Sequence, residues 1–113
     1  MADYSPAGNN LALAGVAAGA TWLAMHTGDP GTTGANEAAG TGAARGQTTW
    51  DVPDGDSITG TPTDVGVPTG GPYTHWGLYT DETGGTYITG GVVSAPESYA
   101  APGIYVLTPT LPA

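Results

Sequence analysis

Hydrophobic and polar positions along this chain change period several times, and each change marks an element. After Asn9-Asn10, the run Leu11-Ala-Leu-Ala-Gly-Val-Ala-Ala18 predicts a short helix capped by asparagine, with Leu11, Ala14 and Ala18 on one face. Gly15 and Gly19 weaken it by up to ~1 kcal/mol each relative to alanine. So short a helix has to dock on a sheet or on a neighbouring subunit. Thr21 to Thr27 then alternates, with Trp22, Ala24 and His26 facing one way and Leu23, Met25 and Thr27 the other. Both sets are largely apolar, so this segment reads as a central strand buried on both faces.

Asp29-Pro30-Gly31 ends that strand, and Gly28 to Gly42 forms a long loop of small residues. Ala44 to Val52, with Trp50 in it, predicts a second strand, closed by the turn Pro53-Asp-Gly-Asp56. A short strand at Asp64 to Val67 lies between Pro62 and Pro68. Thr74 to Thr80 alternates again, His75, Gly77 and Tyr79 against Trp76 and Leu78. Asp81 to Gly85 predicts a hairpin loop, and Tyr87 to Val93 returns antiparallel. Ser94 to Gly103 reads as a second long loop. Ile104 to Leu107 begins a last strand, and Pro109 and Pro112 keep the tail extended at an edge. Short strands with frequent turns predict a mainly β fold: a single antiparallel β-sandwich or jelly-roll-like domain over residues 1–113, with residues 1–20 as an arm with a short helix and 21–113 as the sandwich. There is no internal repeat and no heptad or collagen-like shaft.

Composition tests that reading. Gly and Pro total 30 of 113 residues, near the level at which disorder is expected. Only 10% of residues are charged, however, and three Trp and six Tyr are present, which indicates a folded, turn-rich domain. Ten acids face one base, Arg45, for a net charge of −9. Nucleic-acid backbones and anionic lipid surfaces are poor partners for such a chain. With no Cys, disulfides and thiolate metal sites are excluded. The N-terminus lacks a basic region, and Leu11 to Met25 is too interrupted for a signal peptide or membrane span. Production and assembly in a cytoplasm is the simplest expectation.

Two segments carry a resemblance. Thr21-Trp-Leu-Ala-Met-His-Thr-Gly-Asp-Pro-Gly-Thr-Thr-Gly-Ala-Asn-Glu37 and Thr74-His-Trp-Gly-Leu-Tyr-Thr-Asp-Glu-Thr-Gly-Gly85 are each an aromatic strand feeding a Gly/Asp/Thr turn. With Ala43-Ala44-Arg45 between them and Tyr87-Ile-Thr-Gly-Gly-Val-Val93 after them, the chain resembles small bacteriophage virion proteins of the tail-fibre or minor-tail type. The resemblance implies a non-enzymatic structural protein of the virion, assembled in the host bacterial cytoplasm, that could serve either as a tail-fibre or minor-tail protein or as a capsid decoration protein. It implies a homo-oligomer, with a trimer as the first expectation, docked on other virion proteins such as major capsid or tail proteins. No cofactor is expected.

Candidate chemistry is sparse. Arg45, in the Arg motif of the resemblance, is expected to pin the long loop through Glu37 or Asp29, because a guanidinium fits a carboxylate by two parallel hydrogen bonds. Trp22, Trp50, Trp76 and Leu78 are expected to anchor the core or a subunit interface. His26 and His75 with Asp29 and Glu37 form a possible metal set, but without tight spacing the imidazoles read better as hydrogen-bonded residues. Asp51, Asp54 and Asp56 could hold calcium on a tight turn; without a full twelve-residue loop a solvated turn fits better. A host-glycan-binding module is the alternative function, with Tyr73, Tyr79 and Tyr99 as sugar contacts. No nucleophile elbow surrounds any serine, and a Lys-dependent phosphate loop is impossible.

Overall fold

The computed structural model describes residues 5–112. Its first element, α1 (Pro6–Gly19), begins earlier than Asn9-Asn10 suggested. Ser5 is the cap: its side chain accepts from the Gly8 N–H at 3.1 Å, and Pro6 follows at the first helical position, where its missing N–H costs nothing. Leu11, Ala14 and Ala18 share one face, as the spacing predicts, and that face is the outward one. Leu13, Val16 and Ala17 pack against the core, whereas Leu11, Ala14 and Ala18 are exposed. The helix is apolar nearly all round, so its pattern did not distinguish inside from outside, and the bulkier pair Leu13/Val16 took the inner side. Residues 1–4 of the expected arm and Ala113 of the tail lie outside the described residues.

Among the described residues eight strands follow: β1 (Trp22–His26), β2 (Gly46–Gln47), β3 (Ile58–Thr59), β4 (Thr63–Val67), β5 (Gly70–Tyr79), β6 (Tyr87–Tyr99), β7 (Gly103–Leu107) and β8 (Thr110–Leu111). Every pairing is antiparallel. One sheet has the order β2-β1-β5-β6, and two ribbons, β3-β8 and β4-β7, complete the fold. The chain is thus mainly β, with antiparallel sheets and one helix, as its alternation indicates.

Several elements differ from expectation, and β5 begins at Gly70 instead of Thr74. The predicted strand Ala44 to Val52 is regular only at Gly46–Gln47, with isolated bridges from Ala44 to Gly66 and from Trp50 to Gly60. The predicted loop Ser94 to Gly103 is instead mostly strand, because β6 runs on to Tyr99, opposite Glu97↔Tyr73 and Tyr99↔Gly70. Pro96 is tolerated there because β6 forms the outer edge of its sheet, where a missing N–H breaks no ladder. The β3-β8 ribbon was not foreseen; two-residue strands carry too little alternation to read.

The β1-β5 ladder runs in register from Trp22↔Tyr79 to His26↔His75. Leu23, Met25, Trp76 and Leu78 share one face and enter a core closed by Val65 and Val67 of β4 and Tyr105 and Leu107 of β7. Trp50 packs at the margin of that core and donates from Nε1 to the Ala20 carbonyl at 2.9 Å. Trp22, one of the expected core or interface anchors, lies outside the core: it is half-buried on the opposite face, with Ala24 and His26.

Candidate functional site

The opposite face of the β1-β5 ladder is also covered, but by polar chemistry. Beyond β1 the chain turns at Asp29, whose carboxylate accepts from the Gly31 N–H at 2.8 Å. Asn36 then adopts φ 67, in the left-handed region, and donates from its side chain to the Asp29 carbonyl at 3.1 Å. These turns swing the chain back beside β1: Thr27 N–H bonds to Asn36 O, Ala38 N–H bonds to Met25 O, and His26 bridges Glu37. Glu37 is thereby fixed over the sheet.

Arg45 arrives from the other side. Ala44 exchanges two backbone hydrogen bonds with Gly66 of β4, and Gly46 pairs with Leu23. Gly46 has to be glycine, since a Cβ there would run into the Asp64 carbonyl. The guanidinium so placed makes four hydrogen bonds. Nε and Nη2 donate to the two oxygens of Glu37 at 2.9 and 3.0 Å. Nη1 donates to the carbonyls of Asp81 and Gly84, at 2.9 and 2.8 Å, in the β5-β6 hairpin. Its carbon also lies 3.6 Å above the centre of the Tyr79 ring. One side chain therefore ties the 28–42 loop, the 81–84 turn and β5 together. The Arg45 side chain is only 10% exposed, and its pKa is raised chiefly by the hydrogen bonds it donates to the Glu37 carboxylate. Asp29 is not part of this pair; its carboxylate closes its own turn.

Beneath Arg45 lies an aromatic layer. His26 is 0% exposed. Its Nδ1 lies 2.8 Å from the Ala35 carbonyl, and its Nε2 lies 3.2 Å from the Tyr79 hydroxyl. A carbonyl only accepts, so Nδ1 carries the proton and Nε2 accepts from Tyr79. The two rings are parallel to within 8°, and Tyr87 packs edge-on to Tyr79 at 5.5 Å. Tyr87 also donates to the Gly31 carbonyl at 3.2 Å. Gly77 makes room for the imidazole, because a Cβ there would lie 2.5 Å from His26 Nε2. Burial lowers the pKa of His26 below its usual 6.5, opposed by the Ala35 hydrogen bond and Glu37. Burial, then the Glu37 charge, pushes the Tyr79 phenol up to about 12. The cluster is thus a neutral histidine and a protonated tyrosine under a neutralised ion pair.

The other candidate groups do not assemble. His75 Nδ1 pairs with the neighbouring Thr74 hydroxyl at 2.8 Å, and among the described residues no three of His, Asp and Glu converge on a metal-sized site. Asp54 closes a turn with Ser57 through two backbone hydrogen bonds, while Asp51 bonds to Thr59 through its backbone. The tyrosine platform is corrected. Tyr73 and Tyr79 are buried, the Tyr73 hydroxyl is spent on the Pro68 carbonyl, and Tyr99 packs 5.9 Å from the Tyr73 ring. In sequence Tyr79 shares its side with His75 and Gly77 and alternates with Trp76 and Leu78, which is the pattern of a strand buried on both faces. A cleft of about 390 Å³ lies beside Glu37 and Arg45, floored by Ala38, Ala43 and Ala44. Arg45 has little donor capacity left for a ligand there, because four hydrogen bonds already occupy it.

What sequence reading missed is the layer itself: His26, Gly77, Tyr79 and Tyr87 acting with Arg45. The available signal was Gly77, a strand glycine opposite a buried face, which marks a close approach.

A family model described as "Podophage GP4 fiber I protein gp80" matches residues 8–109, and the chain belongs to that family. It is a phage structural fibre protein and a component of the virion. Among curated proteins nothing matches the chain, and among solved structures nothing does either. Among the described residues, no helix is long and apolar enough to cross a membrane.

Proposed function

We propose that the chain is a non-enzymatic building block of a phage tail fibre, acting as one domain that associates with copies of itself and docks on other virion proteins. The family match over residues 8–109 carries this reading. The Arg45 clasp acts mechanically: it pins the 28–42 loop and the hairpin to the sheet, so that the loops meet their partners already ordered. An ordered loop loses less conformational entropy on docking. Self-association, with a trimer as the working stoichiometry, offsets the small core of a 113-residue chain. Assembly takes place in the host cytoplasm before the particle is released.

Copy number per virion tests the location. Quantitative mass spectrometry of purified particles against the major capsid protein should give a few to a few tens of copies. Hundreds of copies would move the protein to the head as a capsid decoration protein. Binding to a host-glycan array that survives Tyr99→Ala would revive the receptor-binding reading at a different surface.

A further inference from the structure

The helix α1 has two apolar seams, and the fold uses one. Leu13, Val16 and Ala17 face the protein's own core. Ala7, Leu11, Ala14 and Ala18, spaced four, three and four residues apart, lie on one outward stripe, and all four are exposed, Leu11 to 76%. No residue of α1 is charged, and none is fully buried. A helix that is apolar on all sides normally ends up buried. Beside the outward seam runs a groove of about 660 Å³, walled by Ala14 and Ala18 on the helix and by Trp50, Val52 and Pro53 opposite. Val52 stands on its rim, 85% exposed. One molecule thus carries an apolar knob, Leu11, and next to it a groove with apolar walls and a polar side formed by Thr21, Gln47, Thr48 and Thr49.

Charge selects the occupant. The protein carries −9, so two copies repel over most of their surface. Between Ser5 and Met25 there is no Asp, Glu, Lys or Arg, and Asp51 is the one charged residue lining the groove. On this face a second copy can approach without bringing carboxylates together. Knob and groove lie side by side on one face, so each copy can offer Leu11 to a neighbour's groove, in a closed pair or around a ring.

We infer that the outward face of α1 is the contact between copies of this chain, with Leu11 of one copy seated in the groove between α1 and Trp50–Pro53 of the next. This rests on the self-association proposed above and adds the surface that performs it.

The chain has no cysteine, which gives a direct test. The double variant Leu11→Cys/Val52→Cys should form chains of two and three linked copies under mild oxidation. Light scattering after size exclusion should show Leu11→Asp and Val52→Asp as monomers of 11.1 kDa, with the wild-type thermal midpoint extrapolated to infinite dilution. Val92→Asp, on β6 and equally exposed, should leave the oligomer intact. An oligomer that persists in both aspartate variants and gives no cross-link would overturn the α1 contact while sparing self-association. A wild-type chain that stays monomeric at every concentration tested would overturn both.

Discussion

Leu23, Met25, Trp76 and Leu78 leave the β1-β5 ladder on one side; Ala24, His26, Gly77 and Tyr79 leave it on the other. Both faces are buried, yet they are stabilised in different ways. The first is held by apolar area and close packing with β4 and β7, which tolerates changes of side-chain identity but not of volume. The second is held by directed bonds: Glu37 to Arg45, Arg45 to the hairpin carbonyls, and His26 to Ala35 and Tyr79. Such a face depends on each donor and acceptor being present and on each group keeping its protonation state. The apolar face therefore governs whether the chain folds, and the polar face governs which loops stay ordered once it has.

The sharpest way to break the first face is Trp76→Ala. Removing that buried indole should cost about 3–5 kcal/mol in urea unfolding. A midpoint that does not move would remove Trp76 from the core. On the second face, Gly77→Ala drives a methyl into the imidazole of His26, and a cost of about 1–3 kcal/mol is expected from forced displacement. Amide exchange should then rise through residues 28–42, with the apolar-face strands still protected. Arg45→Ala should loosen both the 28–42 loop and the 81–84 turn, at about 1–3 kcal/mol, because the Asp81 and Gly84 carbonyls and the Glu37 carboxylate lose a charged donor. Arg45→Lys should fail to restore protection, since an ammonium cannot make the two parallel bonds to Glu37. Equal protection in Arg45→Ala and wild type would reduce the clasp to an incidental contact.

Acidification separates the faces without mutation. Folding lowers the His26 pKa below 6.5, so the unfolded chain takes up a proton at a pH where the folded chain does not. Stability is therefore complete above about pH 6.5 and falls as pH drops below it, until the folded imidazole also protonates. Glu37 favours that protonation, and Arg45 and His75 oppose it. Urea midpoints measured between pH 7.5 and 5 should decline, and His26→Gln should flatten the decline; an identical slope in the variant would assign it to other groups. The smallest effect belongs to Asp29→Asn. An amide oxygen still accepts from Gly31 N–H, so stability should change by less than about 0.5 kcal/mol. A larger loss would mean that Asp29 supports Arg45 after all.

Strand alternation at 21–27 and 74–80 located the two central strands, because a period of two over six or seven residues is a local property of side-chain direction. The turn at Asp29-Pro30-Gly31 and the hairpin at Asp81–Gly85 were legible for the same reason, through residues whose backbone preferences are set locally. The scarcity of charge, and Arg45 as the one Lys or Arg among ten acids, made an ion pair at that residue the natural expectation. Which acid stands opposite Arg45 was not legible. Glu37 and Asp29 are both within reach in sequence, and the choice depends on the backbone returning beside β1 at Asn36. Nor could the sequence say that β6 would run through Pro96: that depends on β6 being the edge of its sheet, which is a matter of strand order. The inward side of α1 escaped for a related reason. A helix apolar on every face carries no period to read, so only packing against the sheet decided that Leu13 and Val16 turn in and Leu11 turns out. Local chemistry fixed the elements; long-range juxtaposition, which no single segment encodes, fixed their partners.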